Sequence, residues 1–240
     1  MNWFKYAAKA LLHGGLDFSG VPRRRRHELR GHLLVLTYHS FGSGRPWGLF
    51  GSLPVRQFER HLGFLKAHFE LVSLEEGMKN IGSGLVRDKP FLALTIDDGF
   101  EDNYTLAWPL LKRYGIPATV FLATDFIDSG RPPWPTQIAE ILDRTALNAM
   151  SFPFPARIGN VVEKLSARRA LQRQWAILPP AERLRNLDAL RAHLRVPAGT
   201  KYRGLTWGQI REMHEHGVRF GSHTVFHSYL PSSSDVVVRE

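Results

Sequence analysis

Outside residues 128–203, apolar residues fall into short runs of strand length, separated by stretches with helical spacing. Residues 33–38 form one run, Leu-Leu-Val-Leu-Thr-Tyr, and 69–73, 91–96, 117–123 and 218–222 form four more. Between the first two, Phe58, Leu62 and Leu65 recur at the three- and four-residue spacing of a helix over 55–68. Further helices are predicted to begin at Leu74, to cover 103–114 up to Gly115, and to cover 207–216 up to Gly217. Strands alternating with helices imply an α/β fold with parallel pairing and right-handed crossovers. Chemistry is then expected at the strand ends, where loops begin.

The alternation stops between Asp128 and Arg203. Pro132, Pro133, Pro135, Pro153 and Pro155 punctuate the first part of this stretch, and 163–178 and 181–194 read as two basic amphipathic helices. Residues from about 129 to 203 are therefore read as a helical insertion in a βα loop.

Composition narrows the chemistry. The chain has 240 residues, enough for one large domain, and its 43% hydrophobic and 22% charged content is that of a globular protein. It contains no cysteine, so any metal must sit on His, Asp or Glu. No apolar run reaches the roughly 18 residues of a membrane span. The net charge of +10 is uneven. Residues 1–30 carry seven Lys/Arg against two acids, net +5, and 157–203 carry eleven against three, net +8. The first segment reads as a basic amphipathic arm: Trp3, Phe4, Tyr6, Leu11 and Leu12 supply an apolar face and Arg23 to Arg26 a cationic one. Such an arm suits an anionic membrane surface or a plain docking role. Lys5 and Lys9 interrupt its apolar residues, so no clear signal peptide is present, and a cytoplasmic or peripheral membrane location is the default expectation. No DNA- or RNA-binding motif is visible, so no nucleic acid partner is expected.

Two constellations can do chemistry. Leu94-Thr-Ile-Asp97-Asp98-Gly99 brings two adjacent carboxylates to a strand end. Neighbouring acids are costly there unless a cation lies beside them, and one can bind a metal while the other acts as a base. Read alone, the same residues also suit a turn with an Asx cap. Gly221-Ser-His223-Thr-Val-Phe-His227 follows another strand, and one helical turn would put both imidazoles on one face. Read alone, these are equally two unrelated loop histidines. Taken together, Asp98, His223 and His227 plus a water would make an open three-ligand site, with Asp97 as base. His214 and His216 sit in the last helical turn before Gly217 and read as structural, and Trp134 and Trp207 read as core residues.

These motifs resemble those of the NodB-type polysaccharide deacetylases, carbohydrate esterase family 4. Thr-Ile-Asp-Asp-Gly is similar to that family's Thr-Phe-Asp-Asp-Gly, and His-Thr-Val-Phe-His to its His-Ser/Thr-x-x-His. The flanking Asp-Asn-Tyr, Tyr-Gly-Ile-Pro-Ala-Thr-Val-Phe and Leu-Thr-Trp-Gly-Gln-Ile-Arg-Glu-Met also look like the family, and the similarity runs from about 33 to 230. The resemblance implies a (β/α) barrel, Asp97 as catalytic base, and Asp98, His223 and His227 holding a divalent metal, usually zinc. It also implies, from a circularly permuted subset, that the His of a Tyr-His pair on the first strand is the catalytic acid; here the pair is Tyr38-His39. The activity implied is removal of N-acetyl groups from an amino-sugar polysaccharide or glycan precursor.

The family's later motifs and further strands are not seen in the 13 residues after His227, and Ser228 stands where Pro is common. The barrel is therefore expected to be incomplete at its C-terminal side, with 31–240 as the deacetylase domain and activity weak or absent. O-deacetylation and a non-catalytic carbohydrate-binding remnant are the competing readings.

Overall fold

The structure, a computed structural model, describes residues 32–42, 51–83 and 88–230. The basic arm at 1–30, and with it the expected membrane contact, lies outside these residues, as do 231–240. The described chain runs β1 (Leu33–Tyr38), β2 (Phe41–Gly42), β3 (Leu53–Pro54), α1 (Val55–His68), β4 (Glu70–Leu71), α2 (Leu74–Ser83) and β5 (Phe91–Asp98). A π-helical turn (Asn103–Ala107), α3 (Trp108–Tyr114), β6 (Ala118–Leu122), α4 (Thr124–Ser129), α5 (Trp134–Arg144), β7 (Ala149–Met150) and β8 (Ala156–Arg157) follow. The remainder is α6 (Val161–Trp175), α7 (Pro180–His193), α8 (Trp207–Glu215) and β9 (Arg219–Ser222).

All five strands expected from the sequence form one parallel sheet in the order β1-β5-β6-β9, with β4 paired to the first two residues of β5. The fold class is the α/β arrangement expected. Among the described residues β1 and β9 do not pair with each other, so the sheet is open. Central β5 is buried at all of residues 91–96, which is why it reads as an unbroken apolar run rather than an alternating one. Phe58 and Leu62 of α1, Trp108 and Leu111 of α3, and Ile210 and Met213 of α8 pack with Leu94, Ile96 and Val120 of the sheet. A second core lies in the helical segment, where Ile138, Ile141 and Leu142 of α5 meet Leu171 and Trp175 of α6 and Leu187 and Leu190 of α7.

Two elements differ from expectation for identifiable reasons. The helix expected over 103–114 opens with a π-helical turn in which Trp108 N–H donates to Asn103 O. Pro109 follows it; proline has no N–H to give to residue 105 and its ring crowds that carbonyl, and the widened turn accommodates both. Helix α5 went unpredicted because prolines surround its start. Pro135, however, occupies its first turn, where no N–H is needed. Its polar positions Thr136, Gln137 and Glu140 are buried along with Ile138, Ala139, Ile141 and Leu142. The paired strands β2–β3 and β7–β8 are two residues each, too short for any periodicity.

The chain leaving the helical segment is tied to the turn after β5. Glu101 N–H donates to Arg203 O at 2.9 Å and Leu205 N–H to Gly99 O at 2.8 Å. Gly204 lies between, where a Cβ would come within 2.9 Å of the backbone oxygen of Phe126. Gly204→Ala is therefore expected to destabilise the fold by about 1–3 kcal/mol. Gly208→Ala, on the exposed first turn of α8 with nothing nearer its Cβ than Thr206 Oγ1 at 3.7 Å, should be neutral or stabilising by up to about 1 kcal/mol. Urea unfolding of the two variants checks both signs.

Candidate functional site

Strand register brings the candidate residues together. Asp98 pairs with Leu122 and Leu122 with Ser222, so three adjacent parallel strands end in line. His223 N–H donates to Leu122 O at 2.8 Å, extending β9 by one residue and setting its side chain over Asp98. On the other side Tyr38 pairs with Ile96, so His39 leaves β1 beside Asp97.

Asp98 is buried, 3% exposed, at φ 76°, and Gly99 follows at φ 81°. The loop after β9 is not the helical turn expected. Thr224 (φ 63°) and His227 (φ 51°) are both left-handed, and Ser228 N–H closes the loop on Thr224 Oγ1 at 2.8 Å. Non-glycine residues at such angles cost roughly 1–3 kcal/mol each and persist only where the surroundings hold them. Thr124 and Asp125 N–H groups of α4 donate to the carbonyls of Thr224 and Val225. The two imidazoles meet edge to face, with centroids 4.7 Å apart.

His223 Nε2 lies 3.6 Å and His227 Nε2 3.2 Å from Asp98 Oδ1. Among the described residues this buried oxygen makes no hydrogen bond, the two imidazole nitrogens being its nearest basic partners. Burial pushes the Asp98 carboxyl up, but His227, His39 and His223 together pull it below the usual carboxylate range. Burial and the charge of His227 push His223 down, against the pull of Asp97 and Asp98. Asp98 is thus an anion and His223 a neutral imidazole at neutral pH, the forms that bind metal. Burial raises the Asp97 carboxyl, with Asp98 adding to the effect and His39, His223 and His227 opposing it. The structure thus gathers Asp98, His223 and His227 within 4.8 Å and keeps Asp97 and His39 within electrostatic reach.

A metal fits this set. Ligand bonds of about 2.0–2.1 Å in a tetrahedron put ligand atoms about 3.3 Å apart, close to the separations seen. A cation would also satisfy the stranded Asp98 oxygen, whose isolation is otherwise costly.

The family model for polysaccharide deacetylases matches residues 85–240, which include both motifs and begin after His39. The chain belongs to the polysaccharide deacetylase family. It is 32% identical over 91 residues to the polysaccharide deacetylase YxkH of Bacillus subtilis, an overlap of 38% of this chain and 31% of that protein. Among solved structures it resembles the deacetylase PplD of Streptococcus pyogenes, solved with acetate, at TM-score 0.51 and 19% identity, covering 85% of this chain and 62% of that one. A de-N-acetylase of Aggregatibacter actinomycetemcomitans matches at TM-score 0.45 and 16% identity, over 80% of this chain and 55% of its own. The chain thus spans about a third of the curated relative. PplD supports the (β/α) barrel fold type.

Other residues of this deacetylase-family chain shape the site in ways the sequence does not show. Trp134 is buried as expected, but its Nε1–H donates to His227 O at 2.9 Å. Arg183, 2% exposed, donates from Nη2 to Ser228 Oγ at 3.0 Å and lies 5.3 Å from the Trp134 ring. The helical segment therefore braces the histidine loop, and Ser228, the departure from the usual Pro, is what Arg183 holds. Asn103 Nδ2–H donates to His39 O at 2.8 Å and to Asp102 Oδ1 at 3.0 Å, while Ser40 Oγ–H donates to Asp102 Oδ2 at 2.6 Å. The signal was present in the Asp-Asn-Tyr text after the first motif. Trp207, expected in the core, is instead 43% exposed and donates to Asp128 Oδ1. His214 and His216 are structural, set against Val218 O and Glu212 O.

Burial raises the Asp102 carboxyl to about 6, against the pull of its donors. The folded state therefore holds this proton more tightly than the unfolded chain, and the contribution to stability is full below the unfolded pKa near 4 and lost as pH rises through about 6. Asp102→Asn removes this titration. The stability of the variant relative to the parent should rise between pH 4 and 6 and level off above, as followed by urea unfolding.

Proposed function

We propose that this chain carries the site of a metal-dependent hydrolase that removes N-acetyl groups from an amino-sugar polysaccharide or glycan precursor. The observation that carries the reading is the buried, unpartnered Asp98 Oδ1 with two imidazole nitrogens at 3.2 and 3.6 Å. A set of one carboxylate oxygen and two imidazole nitrogens suits zinc and leaves a coordination position open. Bound there, zinc would polarise the amide carbonyl and make its water acidic.

The remaining work falls to side chains of this chain. Asp97 accepts a proton as the amide is attacked, and its raised carboxyl pKa brings it toward neutrality, where a base is most effective. His39, on the opposite flank from β9, delivers a proton to the leaving amine nitrogen. Asn103 fixes the His39 backbone, which orients that acid relative to Asp97. The basic arm at 1–30 suits attachment to an anionic membrane surface where a glycan precursor would be met.

The purified chain is expected to bind one zinc by titration calorimetry and to release acetate from N-acetylglucosamine oligomers, with an O-acetylated oligosaccharide assayed in parallel. Asp98→Ala should abolish zinc binding. Asp97→Asn should retain it while slowing acetate release by about 10²–10⁴. Zinc binding unchanged by Asp98→Ala would overturn the assignment.

Trp134→Phe keeps an aromatic ring but loses the pyrrole half of the indole and with it the donor to His227 O. It should weaken zinc roughly two- to tenfold, the worth of one hydrogen bond.

A further inference from the structure

The pocket in front of the two histidines has a wall that the chemistry above leaves unused. It is an open recess of about 520 Å³, lined by His223 and His227 together with Trp134 and, from α6, Arg169, Gln172 and Arg173. That volume is within the roughly 300–1,000 Å³ of small-molecule sites. The α6 residues are spaced i, i+3 and i+4, so one helix face supplies the whole basic wall.

Several observations separate this pair of arginines from an ordinary solvated helix face. Both are exposed, and among the described residues neither has a carboxylate within 4.0 Å. Among the described residues, no acidic side chain lines the pocket. The other groups at the start of α6 are engaged, with Glu163 on Arg157 and Lys164 Nζ–H directed to Asp143 O at 3.4 Å. Like charges at i and i+4 oppose helix formation, and Glu or Gln at either position would relieve the repulsion. The helix instead keeps two forked cations facing the same space as the histidine pair, with the Gln172 amide between them. Paired guanidinium groups with a neutral donor between them suit a planar or tetrahedral oxyanion.

We infer that Arg169 and Arg173, with Gln172, form an oxyanion subsite, and that the glycan bound here carries a carboxylate or phosphate close to its acetylated sugar. The substrate class named rests on the deacetylase reading; the anion preference itself does not. The subsite belongs to the helical segment and not to the sheet that carries the two motifs.

The test is equilibrium binding by the full chain to probes paired by charge. Chitotetraose is compared with a hyaluronan tetrasaccharide, and N-acetylglucosamine with its 1-phosphate. At least one anionic probe should bind about tenfold tighter than its neutral partner. A preference in the first pair identifies a uronate carboxylate, and in the second a phosphate. The preference should vanish in Arg169→Gln/Arg173→Gln and persist in Arg185→Gln, which removes an exposed charge of α7 outside the pocket lining. Equal binding within both pairs, survival of the preference in the double variant, or its equal loss in Arg185→Gln would overturn the subsite. Zinc titration of the same samples separates the two readings. Zinc binding without anion preference overturns the subsite alone, and anion preference without zinc binding overturns the hydrolase reading alone.

Discussion

The site depends on one carboxylate oxygen kept out of water. Asp98 Oδ1 is buried at the end of the central strand, and its own fold offers it no donor. Removing such an anion from solvent is unfavourable unless positive charge approaches it. The features around it meet that demand. Three strands end in register so that His223 reaches it, the loop adopts two left-handed residues so that His227 does as well, and His39 adds its field from the far side. A fold with a free choice would not place Thr224 at φ 63° and His227 at φ 51° within one short loop. The strain is tolerated because α4, Trp134 and Arg183 fasten the loop from three directions.

The architecture divides the labour between two cores. The sheet core around Leu94, Ile96 and Val120 fixes where the strands stop. The helical core around Leu171, Trp175 and Leu187 fixes the wall of the pocket and the brace behind the second histidine. The return of the chain through Gly204, hydrogen-bonded on both sides to the turn after β5, locks one to the other.

Much of this was legible in the sequence, and the limits have physical causes. Strands β1, β5 and β6 could be read because each is an apolar run long enough to stand out, β4 and β9 because they fall where the alternation with helices requires a strand, and both motifs because their spacing is local. The convergence of Asp98 with His223 and His227 depends on pairing across residues more than 120 positions apart, which periodicity cannot express; the family resemblance supplied it. Helix α5 escaped because prolines crowd its start, and the shape of the 223–227 loop because left-handed Thr and His have no compositional mark. Arg183 looked like one more surface cation on a basic helix. Only the fold shows it turned inward onto Ser228.

The brace from Trp134 and Arg183 to the loop at 227–228 joins two stretches far apart in the chain into one mechanical unit. Recombination that swapped the segment around 129–203 alone between relatives would give a pocket wall whose anchors no longer meet their seats. Residue 228 and the histidine before it should therefore be inherited together with that segment, as a lock is with its key.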